Sequence, residues 1–121
     1  MTRVLVDTSV WIDHLHRTDA ELSVLLEQNV IVTHPLVIGE LALGAIRDRG
    51  QVLARLERLP SAPVATHGEV LAAVERRRLF GRGLSLVDAH LLVSALIGGD
   101  VRLFTRDRRL RDAASDASVR W

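Results

Sequence analysis

Four acids stand where an ordinary globular sequence would not put them. Asp7 ends the apolar run Val4-Leu5-Val6, and Asp107 follows the run Val101 to Phe104 through Thr105-Arg106. Glu40 has Leu36 and Val37 one turn before it and Leu43 and Gly44 one turn after; Asp88 has Leu84 before it and Leu91, Leu92 and Ala95 after it at helical spacing. Residues three and four apart share a helix face, so both acids are expected to project from apolar stripes towards a sheet. A lone carboxylate there costs several kcal/mol or shifts its pKa. Carboxylates gathered together repel unless a hard divalent cation sits among them, and all-oxygen ligation suits Mg2+ or Mn2+. A cation so held can activate water and clamp a phosphoryl oxygen.

The elements that must position these acids follow from the chain itself. Val4 to Val6 reads as a buried strand of a parallel sheet, apolar on both faces. Thr8 and Ser9 are good helix starters, so Asp7 falls at a strand exit beside a helix N-terminus, the edge where open α/β sheets bind ligands. Thr18-Asp19-Ala20-Glu21 has the capping-box pattern and opens a short helix to about Gln28. Val30 to Thr33 is a second strand, and Pro35 starts a helix that runs to about Arg47. Another helix spans about Gln51 to Leu59. Pro63 to Thr66 is a weak strand, and Thr66 to Glu69 is a capping box for a helix to about Leu79. Ser85 starts the most apolar helix, which ends at Gly98-Gly99. Val101 to Thr105 is a strand, Asp107 to about Ala114 a last helix, and Ser118 to Trp121 a closing strand. Strands alternating with helices give a parallel α/β sheet with right-handed crossovers. Trp11, Ile12 and Leu15 are expected in its core. In such a sheet the exits at Asp7 and Asp107 lie on one edge, where Glu40 and Asp88 can join them. Asp100 precedes its strand and belongs to the opposite edge.

Composition sets the bounds. The chain of 121 residues suits one domain, and 48% hydrophobic content suits a folded globule. With no cysteine there is no disulfide framework or thiolate metal site, and a reducing compartment, the cytoplasm, is the simplest expectation. Met1-Thr2-Arg3 leads straight into the first strand, so no signal peptide is expected, and no apolar run has the length of a membrane span. All sixteen basic residues are arginine. Residues 1–60 carry six of them against eight acids, and residues 61–121 carry ten against seven, so the net charge of +1 hides a basic second half. Arginine suits bidentate phosphate contacts, and the clustering fits a polyanionic partner. For the missing lysines themselves, a high-GC coding bias is the preferred account.

Each acid also has a plainer reading. Asp7 and Asp107 can be simple N-caps, Ser85 to Asp88 a capping box, and Glu40 the partner of a buried arginine. Four such coincidences at one edge are less economical than a site. The histidines make poorer candidates: His14 and His16 are two apart, no pair has the spacing of a helical zinc site, and His90 points away from Asp88. Gly81-Arg82-Gly83 follows a helix rather than a strand, which disqualifies it as a phosphate loop.

Val6-Asp7-Thr8-Ser9-Val10-Trp11-Ile12 resembles the opening motif of PIN-domain proteins, and of VapC toxins in particular. Gly39-Glu40-Leu41-Ala42 resembles the family's second acidic motif, Leu84 to Leu92 its third, and Leu103-Phe104-Thr105-Arg106-Asp107-Arg108-Arg109-Leu110 its fourth. The order and spacing match over essentially the whole chain. The resemblance implies a single PIN domain over residues 1–121, a three-layer α/β/α fold around a central, mostly parallel sheet of four to five strands. It implies a Mg2+- or Mn2+-dependent ribonuclease, the toxin of a type II toxin–antitoxin pair. Asp7 and Asp88 would be the principal metal ligands, Glu40 and Asp107 would complete the cluster and hold metal-bound water, and Thr8, Ser9 and Thr105 would orient ligands from behind. Relatives are typically homodimers neutralised by a small VapB antitoxin. Many carry a further acid two residues after the fourth, where this chain has Arg109. Arg82, Arg106 and Arg108 are the candidates for RNA phosphate contacts.

Other acid-edge folds fail on single residues. A receiver domain and a P-loop enzyme both need a lysine, and a haloacid-dehalogenase-type phosphatase needs a second Asp where Ser9 stands. The alternative from another class is a PIN-like module that binds RNA or a partner without cutting.

Overall fold

The structure, a computed structural model, describes residues 1–121. Ten elements follow in order: β1 (Arg3–Val6), α1 (Thr8–His16), α2 (Ala20–Glu27), β2 (Ile31–Val32), α3 (Pro35–Leu43), α4 (Arg49–Glu57), α5 (His67–Arg76), α6 (Leu86–Gly98), β3 (Val101–Phe104) and α7 (Arg108–Asp116). The strands form a parallel sheet in the order β2-β1-β3. Val4 pairs with Ile31 on one side and Arg102 on the other, so β1 is central. Val4, Leu5 and Val6 are all fully buried. Because neighbouring strand residues face opposite ways, their burial means that helices cover both faces. The main core joins Val4, Leu5, Val6, Val10 and Trp11 to Leu22, Val37, Leu41, Leu91, Leu92, Leu103 and Leu110. Between α6 and β3 the approach is close: a Cβ on Gly98 would lie 2.6 Å from Val101 Cγ2.

Capping sets where the site-bearing helices begin. Asp7 caps α1, Asp107 caps α7, and Ser85 with Asp88 forms a full capping box on α6. Thr66 and Glu69 form the same box on α5. Ahead of α2 the cap is Asp19, which accepts from Leu22 N, in place of the expected Thr18. Helix α3 stops at Leu43, short of Arg47, because Gly44 turns to extended backbone and Asp48 adopts a left-handed conformation (φ 52°).

The sheet has three strands, fewer than the expected four to five. Each outer candidate contributes a single rung. Thr33 bridges Ser61, where Pro60 and Pro63 supply no N–H for a longer ladder. Leu103 bridges Arg120, and the left-handed Ser118 (φ 59°) turns the chain just before it. A second correction concerns Ile12, which is 40% exposed while Trp11 beside it is buried. No helix is long and apolar enough to cross a membrane.

Candidate functional site

Asp7 leaves β1 at the centre of the sheet and is 95% buried, so its charge needs donors. It has them. Oδ1 accepts from Thr8 N at 2.8 Å, and Oδ2 accepts from Ser9 Oγ at 2.8 Å and Thr105 Oγ1 at 2.7 Å. Thr105 lies one residue beyond β3, beside the exit of β1, where Asp7 N donates to Phe104 O at 2.9 Å. The same Thr105 Oγ1 accepts from Asp107 N, and Asp107 Oδ1 accepts from Arg109 N and Leu110 N. The two strand-end acids therefore share one hydroxyl bridge on one sheet edge. Ser9 Oγ accepts from Arg106 N and ties the two exits together a second time.

Glu40 joins through Thr8, whose Oγ1 donates to Glu40 Oε1 at 2.7 Å. It is exposed, not turned into an apolar stripe as the sequence pattern suggests. The reason lies in α3, which is apolar nearly all round: Leu43 on the same helix is 91% exposed. Such a helix has no unique inner face to read. Asp107 is exposed, and Asp88 is half-buried. Asp88 Oδ2 accepts from Ser85 N at 3.0 Å, and Asp88 N donates back to Ser85 Oγ. Burial pushes the Asp88 carboxyl above its usual range, the Ser85 amide opposes this, and the Asp7 and Asp107 charges push further in the same direction. Asp88 thus feels both strand-end acids.

Each of these acids spends some of its acceptor capacity on fixed donors and keeps some in reserve. Asp88 Oδ1, Asp107 Oδ2 and Glu40 Oε2 accept no hydrogen bond, and Asp7 Oδ1 accepts only one. None of the four is paired with an arginine; the ion pairs are Arg3–Asp100, Arg82–Asp116, Arg106 with Asp13 and Asp19, and Arg108–Asp112. The donor set is all oxygen, which fits a hard divalent cation and does not fit zinc or copper. The four acids do not stand as a ready-made metal centre: no three acids or histidines come close enough together to hold a metal ion.

The three arginines proposed for phosphate differ in commitment. Arg106 is held by Asp13 and Asp19, with its guanidinium carbon 5.4 Å from the Phe104 ring centroid. Arg82 is paired with Asp116 at 2.8 Å. Arg108 is 86% exposed, 4.0 Å from Asp112.

One feature escaped the sequence pattern. At the exit of β2, His34 is fully buried and its Nδ1 accepts from Leu36 N at 3.0 Å. A neutral ring that accepts at Nδ1 carries its proton on Nε2. That Nε2 has no partner, nor do His90 Nδ1, Ser94 Oγ and Thr33 Oγ1 nearby, and the two imidazoles stand 6.5 Å apart. Burial, then the His90 charge, lowers the His34 pKa to about 4. Its only sequence signal is its place at a strand exit on the edge that carries Asp7.

Residues 4–116 match the PIN domain family model. The chain belongs to the PIN-domain family. Within it, Ribonuclease VapC32 of Mycobacterium tuberculosis is 54% identical over 116 residues, in both strain CDC 1551 / Oshkosh and strain ATCC 25618 / H37Rv, covering 96% of this chain and 94% of the relative. That likeness places the chain among the VapC proteins. The crystal structure of PAE2754 from Pyrobaculum aerophilum superposes with a TM-score of 0.59 at 20% identity, over 92% of this chain and 78% of that one. At that identity the likeness speaks for the PIN fold alone.

Proposed function

We propose that this VapC-family PIN domain is a Mg2+- or Mn2+-dependent endoribonuclease, the toxin of a toxin–antitoxin pair. The observation that carries the reading is the sheet edge itself, where Asp7, Asp88, Asp107 and Glu40 are oriented by hydroxyls and amides yet paired with no cationic side chain. Ribonuclease activity in a relative 54% identical supports it. In this reading Asp7 and Asp88 are the principal ligands, and Asp107 and Glu40 complete the set. A hard cation bound there supplies a Lewis acid for the phosphate and acidifies water.

The chain's own residues do the positioning. Thr8 N, Ser9 and Thr105 fix both oxygens of Asp7, so its orientation is set before any ligand arrives. Ser85 holds one oxygen of Asp88 and leaves the other free, while burial keeps that carboxylate high in energy and ready to accept positive charge. Glu40, tethered to Thr8 and exposed, would with Asp107 hold water at the rim.

The same reading gives the chain a VapB-type antitoxin as partner, RNA as substrate, a homodimeric state and a cytoplasmic setting. Leu43, Phe80 and Leu86, all more than half exposed, supply apolar surface for such contacts. The test is cleavage of total bacterial RNA by purified, antitoxin-free protein with Mg2+, Mn2+ or EDTA, beside Asp7→Asn. Cutting that needs the cation and is lost in the variant is the expected result. A folded protein that cuts under no condition but still retains RNA would instead be a silent binding module.

A further inference from the structure

Arg109 occupies a built position. Its side chain lies over Gly83: a Cβ on that glycine would come within 2.9 Å of Arg109 Cδ and Nη1 and 3.0 Å of Cζ. Gly83 also has φ +77°, a backbone conformation other residues rarely adopt. The guanidinium therefore lies in the space that a side chain at position 83 would take, and a Cβ there would displace it. Two residues on is Ser85, which holds Asp88, and Arg109's own N–H is one of the donors to Asp107. The guanidinium thus lies against the loop that leads to Asp88, on a residue whose backbone helps to hold Asp107.

Its charge is uncommitted. Arg109 is exposed, forms no ion pair, and its side chain makes no hydrogen bond, whereas Arg82 and Arg106 are held by acids from distant parts of the chain. A cation that lies against this loop and is bound to no acid is available to an anion that approaches the edge. A planar guanidinium matches two oxygens of a phosphate group.

We propose that Arg109 is a substrate-positioning residue that takes a non-bridging phosphate oxygen of RNA beside the acidic edge, and that Gly83 leaves it room to do so. The proposal rests on RNA being the substrate. It makes Arg109, rather than Arg82 or Arg106, the chief phosphate contact of this region.

The test measures binding of a fluorescein-labelled single-stranded RNA to the Asp7→Asn protein by anisotropy, over a series of salt concentrations. Adding Arg109→Ala is expected to weaken binding about 5- to 20-fold and to lower the slope of log K against log salt by about 0.7, the share of one phosphate contact. Arg109→Lys should restore the slope but only part of the affinity, since a point charge replaces a fork. Arg76→Ala removes the same charge from α5 and should change Kd by less than about twofold. Gly83→Ala, with charge unaltered, should shift Kd in the direction of Arg109→Ala. In the cleaving protein, Arg109→Ala should raise KM. Unchanged Kd and salt slope in Arg109→Ala, or an equal loss in Arg76→Ala, overturns the proposal even if the protein cuts RNA. A slope reduced as expected in a protein that never cuts leaves Arg109 standing and removes the nuclease reading. Absence of RNA binding by the parent removes both.

Discussion

The paired strands β1 and β3 end in two different ways. At their N-terminal end Arg3 lays Nε and Nη2 against the two carboxylate oxygens of Asp100, each at 2.9 Å, and its backbone N–H bonds Asp100 O as well. The acid there is neutralised, and the Arg3 guanidinium holds its carboxyl below the usual range. At the C-terminal end Asp7 and Asp107 are joined through Thr105, Asp88 leans in from α6, and no arginine answers them. The chain has sixteen basic residues, so cations were not scarce. One end is finished as structure; the other is left without a countercharge, a pattern that clusters at functional sites.

The sharpest way to break this contrast is at Asp7. Asp7→Asn keeps an acceptor for Thr8 N and a side chain of the same shape, so the fold should hold while RNA cleavage falls about 1000-fold or more, an effect of at least about 4 kcal/mol on the barrier. Gel-based cleavage beside a thermal melt separates the two consequences. Cleavage at the parent rate would end the comparison.

Next in size is the neutral histidine at the same edge, one strand over. Below about pH 6.5 an unfolded His34 takes up a proton, while the buried ring stays neutral until about pH 4. Stability is therefore complete above pH 6.5 and declines as the pH falls towards 4, by up to about 3 kcal/mol from this group. Urea unfolding at intervals across that window should show the decline, and a His34→Gln protein should show a shallower slope. Equal slopes would mean that His34 is not held neutral.

Smaller effects sharpen the contrast from the stability side. The folded Asp88 pKa lies above the unfolded value, so once the pH exceeds both the charged form costs stability. Asp88→Asn should abolish cleavage yet raise Tm by about 2 °C. A drop in Tm would show that the Ser85 contact outweighs the repulsion. Least of all, Arg3→Ala breaks an exposed pair and should move Tm by less than about 2 °C, with cleavage unchanged. A larger shift would make the N-terminal end the more important of the two.

The positions of Asp7 and Asp107 were legible because each follows a short buried run and precedes a helix, and both signals are local. Ser85 to Asp88 was legible as a capping box, and the structure contains that box in full. Glu40 was expected at this edge, where it accepts from Thr8, but not as an exposed side chain, since α3 offers apolar residues in every direction. Strand number failed because a single rung at Ser61 or Arg120 depends on which backbone happens to pass nearby. The ion pairs of the arginines were not legible for the same reason: Arg106 meets Asp19 and Asp13 across 87 and 93 residues, beyond any window of periodicity. Arg109 was visible as a departure from the family pattern; its seat on Gly83 was not.

The two single rungs have a further effect. Thr33 exchanges hydrogen bonds with Pro60 and Ala62, and Leu103 with Val119 and Trp121, so both outer strands are partly covered by their own chain. An uncovered strand edge is a template on which another molecule can grow a sheet. Here β2 is two residues long and β3 four, and each already has a neighbour on its outer side. A protein with so small a sheet and so apolar a centre is thereby protected from edge-to-edge aggregation at the concentrations where folding intermediates meet.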